Sequence, residues 1–379
     1  MRGPAVRQVV IAAGGTGGHF FPAEALAAAL IARGRPVALL TDARSRALES
    51  AVFAGRERFV LPGAGIAGRG AARGARAMLA LAAGTWRARA ILARLDPAAV
   101  VGFGGYPSVA PVLGARLLRR GPPVLLHEQN AVLGRANRFL ARHAELLALS
   151  FPATVGVPAG VRTALTGNPV RPVIAALASP PPPPADAAGP IRLLVLGGSL
   201  GARVFAEVVP AALAALPERL RVRLVVVQQC RTEDLAGVRA AYAASGIEAE
   251  LAPFFADIAL RLAQARLVIS RAGASSVAEL AVAARPSILV PLPGAIDDHQ
   301  RANAAALVAA GAAEAIAQPD FTPARLAAGL LAWLDDPARL VAAAAAAAGL
   351  ARPDAAERLA DLVERMLRHA RLGAEGARA

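Results

Sequence analysis

At 379 residues the chain is long for one domain and comfortable for two. Its 56% apolar and 18% charged residues exclude a disordered polymer and supply enough apolar material for sizeable cores. The basic residues are all Arg, and the formal net charge of +15 suits an anionic partner: nucleic acid, anionic lipid or a phosphorylated substrate.

Nucleic acid is not the expected partner. Only 4% of residues are aromatic, no nucleic-acid-binding signature is visible, and the arginines are spread along most helices as on a solvated surface. Cys230 is the single cysteine, which fits a reducing compartment. The apolar run at 9–13 is too short for the core of a secretion signal. No stretch offers the ~18 strongly apolar residues of a membrane span, and the alanine run at 342–348 reads as a soluble helix. A cytoplasmic protein that touches a membrane surface is therefore expected.

The predicted elements alternate between strands and helices. The run at 9–13 is a buried-strand pattern followed by a glycine turn. Pro22 suits a first helical position, with a helix to Arg33 and Gly34 just beyond it. Further strands are expected at 37–41, 99–102, 124–127 and 146–148. This rhythm predicts a parallel sheet covered by helices over residues 1–172. The unbroken run Pro180 to Pro184 marks a semi-rigid linker over 173–190. The rhythm restarts in 191–352, with strands expected at 191–196, 223–227, 267–270 and 287–291. Both halves begin with strand, glycine turn and helix, so the chain reads as two doubly wound α/β domains with a cleft between them. Ligands in such sheets bind at the carboxyl ends of the strands. Asp354-Ala-Ala-Glu357 resembles a capping box opening a final helix to about His369, which could cross back onto the first domain.

Six strand-end motifs carry the candidate chemistry. Gly14-Gly-Thr-Gly-Gly-His19 lies between a strand and a helix, where small residues let a ligand approach the backbone and a helix N-terminus offers N–H groups to an anion. Its spacing is not the dinucleotide fingerprint, and with no lysine it is not a P-loop. A ligand-free tight turn is the plain alternative, but His19 in such a loop is a candidate base. Gly102-Phe-Gly-Gly-Tyr-Pro-Ser108 is a second anion cradle or a plain turn. His127-Glu-Gln-Asn130 ends another strand; Ala131 denies it the second His of a zinc motif. Gly197-Gly-Ser-Leu-Gly201 matches a hydrolase nucleophile elbow, with Asp257 and His299 following in hydrolase order. Its place after the first strand of a new domain favours a phosphate loop instead. Ser270-Arg-Ala-Gly-Ala-Ser-Ser-Val-Ala-Glu279 places an acid where ribose hydroxyls could be held, although a lone helical Glu is more often solvated. Asp297-Asp-His-Gln-Arg-Ala-Asn303 opens a helix on which Gln300 and Asn303 share a face.

Taken in order, together with Gly167-Asn-Pro-Val-Arg171, these segments resemble the MurG family of bacterial peptidoglycan N-acetylglucosaminyltransferases over nearly the whole chain. The resemblance implies a GT-B fold, with two Rossmann-like doubly wound parallel-sheet domains. It implies inverting transfer of GlcNAc from UDP-GlcNAc to the MurNAc 4-hydroxyl of lipid I, without a cofactor or metal. It also implies a peripheral enzyme at the cytoplasmic face of the inner membrane, working in cell-wall biogenesis, cell shape and division beside other cell-wall synthesis proteins.

By the same resemblance the second domain binds the donor. Glu279 would hold the ribose, Ser199 and Arg171 would face the diphosphate, and Phe255 with its neighbour Phe254 would present backbone groups to uracil. His299, Gln300 and Asn130 would read the sugar, with Thr16, Gly17 and Gly18 also on the donor side. Gly14, Gly15, Gly104, Gly105 and Tyr106 would hold the acceptor, with His19 near the reacting hydroxyl. One departure stands out: Gln228-Gln-Cys-Arg231 replaces the family's glycine-containing turn. Finally, the segment 67–95 mixes Arg69, Arg73, Arg76, Arg87 and Arg89 with Met78, Leu79, Leu81 and Trp86, a composition suited to an anionic bilayer interface; the alternative is an ordinary helix whose apolar face, with Leu79 and Leu81, packs on the sheet.

Overall fold

A computed structural model describes residues 6–15, 17–43, 50–62, 71–178, 189–198 and 201–376. The chain divides into two compact units, one comprising Met1–Arg171 with Asp354–Ala379 and the other Pro172–Pro353.

In the first unit seven strands form an entirely parallel sheet: β1 (Val9–Ala12), β2 (Val37–Asp42), β3 (Arg58–Leu61), β4 (Ala99–Gly102), β5 (Val124–Glu128), β6 (Leu146–Leu149) and β7 (Thr163–Leu165). Their order is β3-β2-β1-β4-β5-β6-β7, which reverses direction between β1 and β4. The central strands are continuous apolar runs because both sheet faces are covered. Alternation of side chains then builds two cores. Val9, Ile11, Leu39, Val101 and Leu125 face one side, packed with α1 (Gly17–Ala32) and the C-terminal helix Ala355–Gly376. Val10, Leu40, Val100 and Leu126 face the other, against residues of α2 (Ala71–Leu95) and α3 (Gly105–Arg116).

The second unit holds a six-stranded parallel sheet of β8 (Ile191–Leu196), β9 (Leu224–Gln229), β10 (Glu248–Ala252), β11 (Leu267–Ser270), β12 (Ser287–Leu289) and β13 (Ala313–Ala315). Its order, β10-β9-β8-β11-β12-β13, reverses between β8 and β11. Leu193, Val195, Val226, Ile269 and Ile288 pack against the helices Arg203–Ala214 and Pro323–Leu334.

Several local expectations need correction. The first helix begins at Gly17, so Pro22 lies inside it rather than at its first position. A proline this near the N-terminus removes at most one helical hydrogen bond, and the glycines ahead of it allow the helix to start early. Gly34 does close that helix region with a φ of +72°. At the other end, Asp354 and Glu357 do not form a capping box. The Asp354 carboxylate accepts from Arg358 Nε at 2.6 Å, and Glu357 pairs with Arg33 on α1. The final helix continues to Gly376. Pro172–Ala175 form a short helix and Ala176–Ala178 a 3-10 turn, at the start of the segment 173–190 read as a linker. The proline run itself lies outside the described residues. No helix among the described residues is long and apolar enough to cross a membrane.

Candidate active site

In each sheet, the two loops that flank the reversal of strand order are glycine turns. In the first unit these follow β1 and β4; in the second they follow β8 and β11. A crevice opens at the carboxyl ends of strands at such a switch point, so the topology picks out these loops on grounds independent of their composition.

The loop after β1 is shaped by its glycines. Gly14 is buried, and Gly15 has a φ of +84°, a left-handed conformation that side chains disfavour. The Gly15 N–H donates to Asp42 Oδ1 at 3.2 Å, so a buried carboxylate at the end of β2 braces the turn. A Cβ at Gly17 would stand 2.7 Å from the ring of Phe21. Gly18 follows on the exposed side of the first helical turn. Thr16 lies outside the described residues. Arg171 reaches this region from the end of the unit, its guanidinium carbon 4.7 Å from the Phe21 ring centroid.

After β4, Gly104 and Gly105 have φ values of +75° and +64° and open α3. A Cβ on Gly104 would meet the Asn137 amide at 2.9 Å, and one on Gly105 would lie 3.2 Å from the imidazole of His19. The Ser108 hydroxyl, fully buried, lies 2.8 Å from Gly104 O and 2.9 Å from Ala12 O, joining the two switch-point loops. The Tyr106 hydroxyl is buried with no hydrogen-bond partner among the described residues, a cost that a polar ligand would relieve.

The segment after β5 is a polar network. The Glu128 carboxylate accepts from Asn130 N at 2.9 Å, Asn130 Nδ2 at 3.1 Å, Gly134 N at 3.0 Å and Asn137 Nδ2 at 2.8 Å. Four donors satisfy this buried charge, and they hold Asn130 beside its own strand end. His127 is completely buried, and burial first of all pushes its pKa down to about 4. Gln129, also buried, lies between His127 and His19: its Nε2 is 3.0 Å from His127 Nδ1 and its Oε1 is 2.8 Å from His19 Nδ1. His19 itself is only partly buried.

In the second unit, a Cβ on Gly197 would come within 2.4 Å of Ala202 N, and Gly198 has a φ of +83°. Only glycine fits this turn. Ser199 lies outside the described residues. The Gln228–Arg231 segment, which departs from the family pattern, supports the turn without a glycine of its own. Gln229 Oε1 accepts from Gly197 N at 3.1 Å, and Arg231 packs 2.9 Å from where a Cβ of Gly201 would sit. Gln228 is buried and accepts from the Tyr242 hydroxyl. Cys230 is buried too, and burial chiefly pushes its thiol up to about 11, which keeps it inert.

The turn after β11 leads into the helix Ala274–Val282, which carries partly exposed Glu279. Arg271, by contrast, is structural: it donates to Val290 O at 3.1 Å and Gln318 Oε1 at 2.7 Å, and burial lowers its pKa. Asn303, three residues after Gln300 on the same helix, is fully buried and donates to Ala272 O at 3.1 Å. Gln300 Oε1 accepts from Leu292 N at 2.9 Å, which fastens the loop after β12. His299 opens the helix His299–Ala309 and is partly exposed. Just ahead of it Asp297 and Asp298 have φ values of +55° and +52°, strain of the kind that clusters at ligand sites. Phe255 is buried under the Arg261 guanidinium while Phe254 is exposed. Asp257, the acid of the hydrolase alternative, is occupied by an ion pair with Arg261 at 2.8 Å. No group of three or more His, Cys, Asp or Glu side chains gathers as a metal site among the described residues.

Comparison with known proteins fits this geometry. The model for the glycosyltransferase family 28 N-terminal domain matches residues 9–148, and that for the family 28 C-terminal domain matches residues 192–359. A UDP-N-acetylglucosamine–N-acetylmuramyl-(pentapeptide) pyrophosphoryl-undecaprenol N-acetylglucosamine transferase of Granulibacter bethesdensis is 62% identical over 370 residues, covering 98% of this chain and 96% of the relative. The transferase of the same name from Gluconobacter oxydans is 54% identical over 364 residues, covering 96% and 99%. Among solved structures, MurG of Acinetobacter baumannii superposes with a TM-score of 0.76 at 33% identity, covering 95% of this chain and 99% of its own. The calicheamicin glycosyltransferase CalG4, 16% identical with a TM-score of 0.63 over 96% and 99%, shares the fold alone. The two doubly wound parallel sheets are those of a GT-B glycosyltransferase, and the chain belongs to glycosyltransferase family 28 and, within it, to the MurG family.

Proposed function

We propose that this chain transfers GlcNAc from UDP-GlcNAc to the MurNAc 4-hydroxyl of lipid I, with inversion at the sugar carbon, to give lipid II. The observation that carries this reading is the 62% identity, over 98% of the chain, to a transferase named for that reaction. The site geometry supports it. Both substrates carry a diphosphate, and both units offer glycine turns at helix N-termini, where backbone N–H groups and the helix dipole favour anions.

In this reading the first unit takes the acceptor and the second takes the donor. Gly14, Gly15, Gly104 and Gly105 cradle the lipid pyrophosphate, and the buried hydroxyl of Tyr106 finds its partner there. Glu279 accepts from the ribose hydroxyls, the backbone around Phe255 meets uracil, and Ser199 and Arg171 face the UDP diphosphate. His299, Gln300 and Asn130 read the sugar, and Thr16, Gly17 and Gly18 contribute to the donor side. His19 takes the proton of the 4-hydroxyl as that oxygen bonds to the sugar carbon, and the bond to UDP breaks on the opposite face. The negative charge left on UDP is stabilised by N–H groups and Arg171, so no step calls for a metal.

A peripheral site at the cytoplasmic face of the inner membrane follows from the lipid acceptor. α2 buries Ala88 and Leu92, and Leu81 packs against the same core. Its other side leaves Met78, Leu79 and Trp86 64%, 71% and 66% exposed. Arg76 and Arg87 are exposed beside them, and Arg89 stacks over the Trp86 ring at 5.1 Å. Exposed apolar side chains ringed by arginines suit an anionic lipid surface, and other cell-wall synthesis proteins would meet the enzyme there. Arg69 lies outside the described residues.

The reaction is tested by following UDP release. Release should require UDP-GlcNAc and lipid I together, and UDP-glucose should support it poorly. Equal release without lipid I would contradict transfer to that acceptor.

A further inference from the structure

The polar chain behind His19 has a direction that its chemistry determines. His127 Nε2 lies 3.1 Å from Gly167 O, a carbonyl that can only accept, so Nε2 carries a proton. His127 is fully buried, and its lowered pKa keeps the ring neutral near pH 7. Nδ1 is then a bare lone pair and needs a donor. The partner at 3.0 Å is the Gln129 side-chain amide, which must present its NH2 group there. The second hydrogen of that group is used as well, on His127 O at 3.1 Å. Turning the amide over would set its oxygen against a lone pair and a carbonyl, so one orientation is enforced.

Gln129 Oε1 therefore faces His19 Nδ1 at 2.8 Å, and an oxygen acceptor there requires N–H on the imidazole. The other ring nitrogen, Nε2, lies beside the Gly105 turn, 3.2 Å from where a Cβ of that residue would stand. Any side chain at Gly105 would crowd this nitrogen. We infer that Gln129, oriented by His127, is a positioning residue that holds His19 as the Nδ1–H tautomer and leaves Nε2 bare at the Gly104–Gly105 turn.

The inference deepens the reading of His19 as the base and rests on it for its catalytic consequence. A base must present a lone pair to the proton it removes. Without the Gln129 oxygen, His19 would divide between two tautomers, and the Nε2–H form would turn a donor to the acceptor hydroxyl. Gln129 itself is buried and acts through the imidazole.

The test is nitrogen-15 NMR of histidine-labelled protein at a pH where His19 is neutral. The chain has five histidines, and the His19→Ala spectrum identifies the signals of the first. Wild-type His19 should show its proton on Nδ1, and Gln129→Leu should move a large share of it to Nε2. In the lipid I assay Gln129→Leu should lower kcat by about tenfold, a part of what a positioned base supplies, with the KM for UDP-GlcNAc unchanged. Added to His19→Ala, it should cause no further loss, whereas a merely structural role would lower activity in both backgrounds. Wild-type His19 protonated on Nε2, or an unchanged tautomer in Gln129→Leu, would overturn the assignment. The expected tautomer together with full turnover in His19→Ala would instead overturn the base reading, and with it the catalytic consequence of Gln129.

Discussion

Arg35 meets Glu364 through two parallel hydrogen bonds, Nε to Oε1 at 2.9 Å and Nη2 to Oε2 at 2.8 Å, across 329 residues of chain. This fork, with neighbouring pairs from Arg33 to Glu357 and Asp361, fastens the C-terminal helix to the end of α1. Between them the two helices bury Leu26, Leu30, Leu359 and Val363. Arg35 and Glu364 are 12% and 22% exposed, so the pair is partly shielded from solvent screening. Arg35→Ala should cost about 1–3 kcal/mol and lower Tm by several degrees. Calorimetric unfolding measures this, and an unchanged Tm would show that the fork contributes nothing.

His127 makes stability depend on pH. Its folded pKa, about 4, lies below the ordinary imidazole value because burial disfavours the charged ring. Below about pH 6.5 the unfolded chain binds a proton that the folded chain refuses. The contribution is thus fully present above about pH 6.5 and is lost as pH falls toward 4, by roughly 3 kcal/mol in all. Urea unfolding at pH 7 and pH 5 should show the loss in wild type. It should be smaller in His127→Gln, which has no proton to gain. Equal pH slopes for the two proteins would assign the effect to other groups.

Donor binding in the second unit is tested at Glu279. Removing a charged acceptor from two hydroxyl donors should cost about 1.5–3 kcal/mol. Glu279→Ala should therefore weaken UDP-GlcNAc binding by roughly 10- to 150-fold in titration calorimetry, with an unaltered circular dichroism spectrum. Unchanged affinity would remove Glu279 from the donor site.

The parts of the fold that could be read in the sequence follow a physical division. Strands in the middle of each sheet are buried on both faces and stand out as apolar runs, such as Val9–Ala12 and Leu267–Ser270. The four strands without a sequence expectation, β3, β7, β10 and β13, are the four sheet edges. Edge strands are half solvated: Thr163–Leu165 is exposed along most of its length, so no hydrophobic run announces it. The glycine loops were legible because positive φ and close backbone approach leave few alternatives to glycine. The residues that orient those loops were not. Asp42 and Asn137 act through contacts made only after the strands are arranged, and nothing local distinguishes them from ordinary polar residues; Ser108, Gln129 and Gln229 stand inside the motif segments, but the loop each one braces cannot be read there. Gln300 and Asn303 stand three apart on one helix, as their spacing suggests, but their tertiary hydrogen bonds, from Leu292 N and to Ala272 O, could not be read from that spacing.

Membrane docking is expected to run through the outward side of α2. Trp86 and Leu79 are exposed, and the adjacent arginines should each add about 1 kcal/mol at an anionic surface. Co-sedimentation with phosphatidylglycerol-containing vesicles should be strong at low salt and weaker at high salt. It should fall when Arg76 and Arg87 become Gln, and again with Trp86→Ser. Undiminished sedimentation of the triple variant would place the docking surface elsewhere.

Transfer of the sugar itself is read from the fate of label from radioactive UDP-GlcNAc incubated with lipid I. Label should pass into the lipid fraction, one sugar per acceptor and in β linkage. His19→Ala should slow the transfer by about 10²- to 10⁴-fold while binding UDP-GlcNAc as wild type does. Label that stays in UDP-GlcNAc or appears as free GlcNAc, with the lipid unlabelled, would contradict the account.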